Sequence, residues 1–345
     1  MQELLARLTA LDPSASMSLR VIACFDELVR GGVNVQALLS AGASMAGSVA
    51  GYADEQSGRT LRVGPDGEAL APEEPAATDR VCKTEDGLSV WLEKAGPLAM
   101  NDEMILERLA LSIGLRFGRN PPDGRRGLSA ALDPDLPRPA RAQLLCALGL
   151  RPTEQHRIVC LPLFATWRRH PHTVEDVMNT SFGPIHVAVV GSTADVVDAR
   201  PCGVGAAMAL EDLDRSFRTA MVCLRLCNPP AVPIVLADDY GGLVELLATS
   251  PAGPLLDVDP LDEIMAHPWG AETLDALIRA GSIRQAARLA DVHHSTMQSR
   301  IEEIQQALPF DPLDGFGRTR IGIAYLVWRL QHSTVLSAPP TAQQR

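Results

Sequence analysis

Polar side chains suited to hydrogen bonding with DNA are concentrated between residues 282 and 300. Hydroxyl, amide and imidazole groups form hydrogen bonds with base edges, and guanidinium groups bind phosphate through two parallel hydrogen bonds. The candidate base-contacting residues are His293, His294, Ser295, Thr296, Gln298 and Ser299. The candidate phosphate-contacting residues are Ser282, Arg284, Arg288 and Arg300. These residue types favour recognition of double-stranded DNA.

Two short helices joined by a tight turn would place these groups on one surface. The spacing of apolar residues from 281 to 308 predicts such a pair, with Ser282 as the N-cap of the first helix. The apolar positions are Ile283, Ala286, Ala287 and Ala290 on the first helix, and Met297, Ile301, Ile304 and Leu308 on the second. The polar candidates then lie on the opposite face of the second helix. An ordinary helical hairpin with a solvated polar face has the same pattern, so both interpretations stay open.

Further helices flank this pair. Residues 269–280 predict a preceding helix that Gly281 ends, and residues 319–331 predict a closing helix rich in apolar residues. Together they predict a bundle of about four helices, which is the size of a small independent domain.

The order of these elements closely resembles the C-terminal helix-turn-helix domain of PucR/CdaR-type bacterial transcriptional regulators. The residues that carry the resemblance are Ala286-Ala287-Arg288-Leu289, Val292-His293, Ser295-Thr296, Arg300-Ile301 and the segment 326–330 with Trp328-Arg329. The resemblance covers about the last fifth of the chain and implies a sequence-specific DNA-binding transcriptional regulator. Met297 and Gln298 depart from the pattern, which more often has a branched aliphatic and a basic residue there. The base preference of the family therefore does not transfer.

Net charge argues against extensive contact with DNA. The chain carries a formal charge of −11, whereas proteins that bind nucleic acids usually present a basic surface. Residues 270–330 contain seven arginines and seven acidic residues, so this segment is neutral and the acidity belongs to the rest of the chain. For each candidate arginine the alternative is a solvated surface charge, and for His293 and His294 it is a structural role in the turn.

Length and hydropathy limit the class of protein. With 345 residues and 46% hydrophobic content, the chain has material for two or three packed domains. No run approaches the roughly 18 apolar residues that cross a bilayer, and the first residues lack the pattern of a signal peptide. We therefore expect a cytoplasmic protein with no membrane partner.

Residues 1–118 predict a domain of helices around an antiparallel sheet. Helices are expected at 19–30 and 35–43, strands at 49–55, 60–64, 80–84 and 88–94, and a long amphipathic helix at 100–117. This order is similar to a GAF domain, an α+β fold that often holds a small molecule beneath a covering helix. A dimerisation module without a ligand is the alternative.

Residues 119–139 are dense in proline, glycine and charge and predict a linker with at most one helical turn. Residues 140–265 follow as an α/β unit that resembles the degenerate cyclase-like middle domain of PucR-type regulators. The turn that holds nucleotide and metal in an active cyclase is absent from the sequence. Asp238-Asp239 is an acidic pair suited to a metal or to a strand-ending turn. Residues 266–333 then form the DNA-binding domain, and residues 334–345 a flexible tail.

No motif indicates an enzyme, a cofactor or a metal site. The seven cysteines are scattered, and only Cys223 and Cys227 lie one helical turn apart. A redox or metal pair is one interpretation, and two buried apolar thiols are the other.

The sequence thus predicts a multidomain α+β regulator with a GAF-like sensor, an α/β middle domain and an all-α helix-turn-helix bundle. We expect a homodimer, because one recognition helix contacts few base pairs. The helix at 100–117 is the candidate for the dimer interface. A small-molecule effector and RNA polymerase are the further partners considered. The alternative is a ligand-binding sensor that acts through protein partners, with the helical C-terminus as an assembly module.

Overall fold

Two units make up the chain in this computed structural model. The first comprises Met1–Ala248 with Thr334–Arg345, and the second comprises Thr249–Ser333. The structure describes residues 13–55, 58–73, 80–85, 87–94, 100–117, 127–171, 173–192, 197–249 and 256–336. Within those ranges no helix is both long and apolar enough to span a membrane.

The first unit begins with three helices around an antiparallel sheet. The helices are α1 (Pro13–Gly31), α2 (Val35–Ala46) and α3 (Met100–Phe117), and the strands are β1 (Val49–Asp54), β2 (Arg59–Val63), β3 (Ala69–Leu70), β4 (Arg80–Glu85) and β5 (Leu88–Glu93). The strand order is β3-β2-β1-β5-β4, and every pair is antiparallel. All three predicted helices and all four predicted strands are confirmed to within a few residues, except that α1 begins six residues earlier.

The core of this region forms where the helices cover the sheet. Leu38 and Leu39 of α2, Leu109 and Ile113 of α3, and Val90 of β5 are completely buried there. The apolar period of α3 points one face inward, as its sequence predicts. Leu111 and Leu115, one turn apart on the opposite face, remain about half exposed, at 50% and 47%.

A second sheet completes the first unit. Its elements are α4 (Leu128–Ala131), α5 (Arg138–Ala147), β6 (His156–Pro162), β7 (Thr166–Trp167), β8 (Glu175–Thr180), β9 (Gly183–Gly191), β10 (Ala199–Arg200), β11 (Cys202–Val204), α6 (Leu213–Leu226), β12 (Ile234–Leu236) and α7 (Gly242–Thr249). The strand order is β12-β11-β6-β9-β8, with only β11 and β12 parallel, while β7 and β10 form a separate pair. The multidomain α+β prediction is confirmed, but the α/β description of residues 140–265 holds only for that parallel pair.

Part of the predicted linker belongs to the core of this sheet. Leu128, Ala131 and Leu132 are buried against Ile158 and Val187. The linker interpretation is therefore wrong for residues 127–132, because the apolar residues of α4 supply a layer of the core. Residues 118–126 lie outside the described ranges.

Strand β8 joins the second sheet to the N-terminal helices through buried polar contacts. The carboxylate of Glu175 lies 2.7 Å from Nε2 of His186 and 3.2 Å from Nε2 of His170. Nε2 of His170 is also 3.9 Å from Glu27 of α1. Burial raises the pKa of the Glu27 carboxyl, which the nearby Arg30 opposes. These four residues form a buried cluster of two carboxylates and two imidazoles.

Further polar residues of β8 also bond to the N-terminal helices and to α4. Asp176 accepts a hydrogen bond from Nδ2 of Asn34 at 3.3 Å and from the backbone N–H of Ser129 at 3.2 Å. Oγ of Ser40 on α2 donates to Oδ1 of Asn179 at 2.6 Å. The polar side chains of β8 thus bond to Ser40 of α2, to its N-cap Asn34 and to the start of α4, and these bonds connect β8 to both helices.

Acidic and thiol groups in the second sheet have structural roles. Asp238 forms two hydrogen bonds with the guanidinium of Arg157, at 2.9 and 2.8 Å. Cys223 and Cys227 are both buried, and Sγ of Cys227 donates to the carbonyl of Cys202 at 3.2 Å. Burial raises the pKa of the Cys202 thiol to about 12 and that of Cys223 further, so the thiolate that binds metals is disfavoured. The buried-thiol interpretation is confirmed for this pair.

Replacing Glu175 tests the cluster on β8. Glu175→Leu removes the carboxylate that lies 2.7 Å from His186 and 3.2 Å from His170, at a side-chain position with 0% exposure. Leaving a buried polar group without its hydrogen-bond partner costs about 1–3 kcal/mol. We therefore expect the free energy of unfolding in urea to fall by about that amount. The matched control is Glu154→Ala, which removes a carboxylate that is 49% exposed, and we expect a loss below about 1 kcal/mol. Equal losses in the two variants would contradict the role of the cluster.

The second unit is entirely helical among its described residues. Its helices are α8 (Leu261–Met265), α9 (Gly270–Arg279), α10 (Ile283–Leu289), α11 (His294–Ala307) and α12 (Gly315–Gln331). The short helix α8 was not expected, and its Leu261 and Ile264 lie in the core of the unit. The closing helix α12 begins four residues earlier than predicted because Asp314 caps it through the N–H of Gly317. The predicted boundary at residue 266 therefore falls after a helix that belongs to this unit.

Candidate nucleic-acid interface

The first helix of the pair begins at a reciprocal cap. Oγ of Ser282 accepts the N–H of Gln285 at 3.3 Å, and Oε1 of Gln285 accepts the N–H of Gly281 at 3.0 Å. The predicted N-cap is confirmed, and the S-x-x-Q spacing is the sequence signal of this arrangement. The cap fixes where α10 begins and leaves the side chain of Arg284 exposed in its first turn.

Small residues let α10 pack closely between its neighbours. Ala286, Ala287 and Ala290 are at most 4% exposed in a core shared with α9 and α11. Side chains without a γ-atom allow the short helix to cross its neighbours closely. The alanine stripe predicted from the sequence is therefore confirmed.

The turn between α10 and α11 depends on a left-handed residue. Asp291 has a φ of 48°, the one positive value among the non-glycine residues that the structure describes. Aspartate tolerates this conformation better than most residues. The following N–H of Val292 donates to the carbonyl of Ala287 at 3.0 Å and closes the turn. Only four residues, 290–293, therefore separate the two helices.

The second helix buries one stripe and exposes the other. Met297, Ile301 and Ile304 are at most 2% exposed. Because these residues define the inner face, the polar residues of the first turn and a half must face solvent. All six candidate base-contacting residues are exposed, namely His293, His294, Ser295, Thr296, Gln298 and Ser299. No acidic residue lies in the first turn of α11.

Exposed cations lie beside this polar face, on α10. Arg284 and Arg288 are both exposed, and Nε of Arg288 donates to the carbonyl of Arg284 at 3.4 Å. Within the described ranges no carboxylate lies within ion-pair distance of either guanidinium. Both groups are therefore available to an external anion. Together with the exposed Ser282, they give α10 positive charge and hydrogen-bond donors.

The fourth candidate phosphate contact, Arg300, is used inside the unit. Its Nη1 donates to Oγ1 of the buried Thr273 at 3.1 Å, and its guanidinium lies 5.5 Å from the centre of the Trp269 ring. The arginine thereby joins α11 to α9. The other nine candidates are exposed, whereas Arg300 is partly buried and bonded inside the unit. The spacing of residues in the sequence did not indicate that Arg300 would bond inside the unit.

Comparisons with known proteins locate a family match in this unit. Residues 271–327 match the family model of the PucR C-terminal helix-turn-helix domain. Among solved structures, one similar chain is a regulator of polyketide synthase expression from Bifidobacterium adolescentis, at 14% identity and a TM-score of 0.25. That similarity covers 63% of this chain and 96% of the other. Comparison with curated proteins finds no match. The family match spans all of α10 and α11, the helices that carry the candidate interface.

Replacing Arg300 distinguishes an internal role from a phosphate contact. We expect Arg300→Ala to lower the free energy of unfolding of the helical unit by about 1–3 kcal/mol, because it removes a charged hydrogen bond and a cation–π contact. The salt dependence of DNA binding should stay unchanged. Thr273→Val is the matched variant, and a double-mutant cycle should show coupling between the two positions. A reduced salt slope without loss of stability would instead indicate a phosphate contact.

Proposed function

We propose that this chain is a DNA-binding transcriptional regulator of the PucR/CdaR type that acts as a sequence-specific dimer. The match of residues 271–327 to the PucR C-terminal helix-turn-helix domain supports this proposal. The chain acts on bacterial genes in the cytoplasm. The N-terminal region controls it by binding a small molecule or a protein partner. The middle region is not an enzyme.

The observation that carries this proposal is the exposed polar start of α11 beside two exposed arginines on α10. A recognition helix presents its N-terminal residues to base edges in the major groove, while the preceding helix crosses the phosphate backbone. Short donors and acceptors such as Ser295, Gln298 and Ser299 suit the first task. Arg284 and Arg288 suit the second, because guanidinium matches phosphate geometry.

A homodimer supplies the length of DNA that specificity requires. One recognition helix contacts only a few base pairs, and a two-fold arrangement places two of them on adjacent half-sites. The exposed face of α3, with Leu111 and Leu115 one turn apart, supports a dimer interface on this helix. Apolar side chains on a helix face that is otherwise solvated favour burial against a matching surface.

In this proposal the effector binds to the N-terminal region. Its antiparallel sheet, with three helices packed around it, supports the GAF-like assignment. The hydrogen bonds of β8 with Asn34 and Ser40, and its link to Glu27 through His170, give a ligand-induced shift of α1 or α2 a route to the second sheet. A ligand acts in this way only if it binds two conformations with different affinity. Contact with RNA polymerase is a further partner of the same proposal.

The alternative function is a sensor that acts through protein partners. The formal charge of −11, carried outside residues 270–330, favours this alternative because it opposes non-specific attraction to DNA. In that case α9 to α12 serve as an assembly module, and the polar face of α11 contacts protein.

Selection from a random duplex library by the full-length chain tests the proposed function. The control replaces His294, Gln298 and Ser299 together by alanine, which changes the exposed face of α11 and leaves its buried stripe intact. An enriched inverted repeat that the control loses would support a dimeric sequence-specific regulator. Absence of enrichment, both with and without cell extract as a source of effector, would favour the alternative.

Replacing the two exposed arginines should weaken DNA binding regardless of sequence. Each phosphate contact contributes about 0.9 to the slope of log K against log salt, so the double variant Arg284→Ala/Arg288→Ala should lower the slope by about 2. Fluorescence anisotropy at several salt concentrations measures this on selected and scrambled duplexes. The matched control is Arg279→Ala, which removes an arginine that is 65% exposed and paired with Asp275. The same decrease in the control would remove the assignment of Arg284 and Arg288.

Charged side chains at the proposed dimer interface on α3 should dissociate the dimer. We expect Leu111→Glu/Leu115→Glu to convert a dimer into a monomer in sedimentation velocity at micromolar concentration, because two carboxylates per copy would be buried unpaired. The control is Leu246→Glu on α7, where the native side chain is 65% exposed. Wild-type protein that sediments only as a monomer would contradict the dimer.

A further inference from the structure

The recognition helix begins at a histidine cap. His293 is the N-cap of α11, and its Nδ1 accepts the backbone N–H of Ser295 at 3.3 Å. Oγ of Ser295 lies 2.7 Å from the same nitrogen. A backbone N–H only donates, so Nδ1 serves as the acceptor and must keep its lone pair, and the Ser295 hydroxyl then donates to the same nitrogen. Serine, threonine, aspartate and asparagine are the usual residues at this position.

The cap determines the tautomer of the ring. A neutral imidazole has one nitrogen that donates and one that accepts. Because Nδ1 accepts, the hydrogen lies on Nε2. His293 is exposed, and within the described part of the chain its Nε2 has no hydrogen-bond partner. The ring therefore presents a single N–H donor to solvent, in a position that the helix itself fixes.

We infer that His293 is a fixed hydrogen-bond donor to DNA, whose Nε2–H bonds an acceptor atom at the end of the major groove where α11 enters. This inference rests on the proposed function and deepens it. The acceptor is a nitrogen or oxygen of a base edge, or a phosphate oxygen, since both classes accept an N–H. His293 is thereby a positioning residue as well as a contact, because its other nitrogen orders the first turn of the helix.

Two substitutions separate these roles, because each retains one nitrogen's function. In His293→Asn, Oδ1 takes the place of Nδ1 and keeps the cap, but the outer donor is lost. In His293→Gln, the amide N–H₂ takes the place of Nε2–H and keeps the donor, but the inner acceptor is lost. A pure capping role and a pure contact role therefore predict opposite orders of DNA affinity for the two variants.

The experiment compares both variants with wild type as full-length protein on a duplex obtained by selection and on a scrambled duplex. We expect His293→Asn to keep the wild-type urea midpoint of the helical unit and to bind the selected duplex about three- to tenfold more weakly, as loss of one hydrogen bond implies. His293→Gln should lower the midpoint but stay within about twofold of wild-type affinity under conditions where it is folded. Wild-type affinity of His293→Asn would overturn the inference.

The acceptor is identified on modified duplexes. If changing one base pair of the selected site abolishes the difference between wild type and His293→Asn, the acceptor is on that base. If a methylphosphonate at one position abolishes it, the acceptor is that phosphate. A difference that survives every such change would overturn the contact.

The tautomer is tested without DNA. Long-range ¹H–¹⁵N correlation spectra of the free protein at pH 8 should show His293 with its hydrogen on Nε2, and hydrogen on Nδ1 would overturn the inference whatever the affinities. Failure of wild-type protein to prefer any duplex would overturn the proposed function instead. In that case the Nε2–H tautomer would still be observed, so the two failures are distinguishable.

Discussion

Burial of the stripe formed by Met297, Ile301 and Ile304 is the constraint on which the candidate interface depends. A helix has only one inner face, so burying these three side chains fixes the rotation of α11 about its axis. The cap at His293 and the left-handed turn at Asp291 then fix where the helix begins. With rotation and starting point determined, the polar residues of the first turns have a single possible exposed arrangement. Recognition chemistry is therefore a consequence of core packing.

The same dependence on packing explains which parts of the fold the sequence predicts. The helices α3 and α11 have apolar residues at helical spacing; α3 was predicted with its observed bounds, and the four residues predicted for the buried stripe of α11 are all buried. Strand β8 was missed because Glu175 and Asp176 are polar residues that the fold buries. Partners of the polar residues of β8, such as Asn34 and Ser40, are distant in sequence, so no local pattern identifies a strand that is satisfied by long-range hydrogen bonds.

Similar reasons explain the error in the linker and the unexpected internal contacts of Arg300. Residues 119–139 have the composition of a linker, yet Leu128, Ala131 and Leu132 are enough to anchor one helical turn in a core. Arg300 has the residue type of a phosphate contact, and only its distance from Thr273 and Trp269 shows that the guanidinium is already bound. In both cases composition describes what a residue is able to do, while the three-dimensional neighbours decide which of these roles it takes.

The distribution of charge has a consequence for the proposed regulator. Two exposed arginines per copy amount to about four phosphate contacts in a dimer, which gives a salt slope near −4, well below that of proteins with 6–10 contacts. The acidic remainder of the chain opposes non-specific attraction further. Binding to DNA of random sequence should then be weak, and hydrogen bonds from α11 must supply a large share of the free energy at the correct site. A small change in the distance between two recognition helices would remove much of this binding free energy, because donors that are out of position form no hydrogen bonds with the bases. Weak electrostatic attraction therefore makes such a dimer sensitive to an effector that changes its geometry.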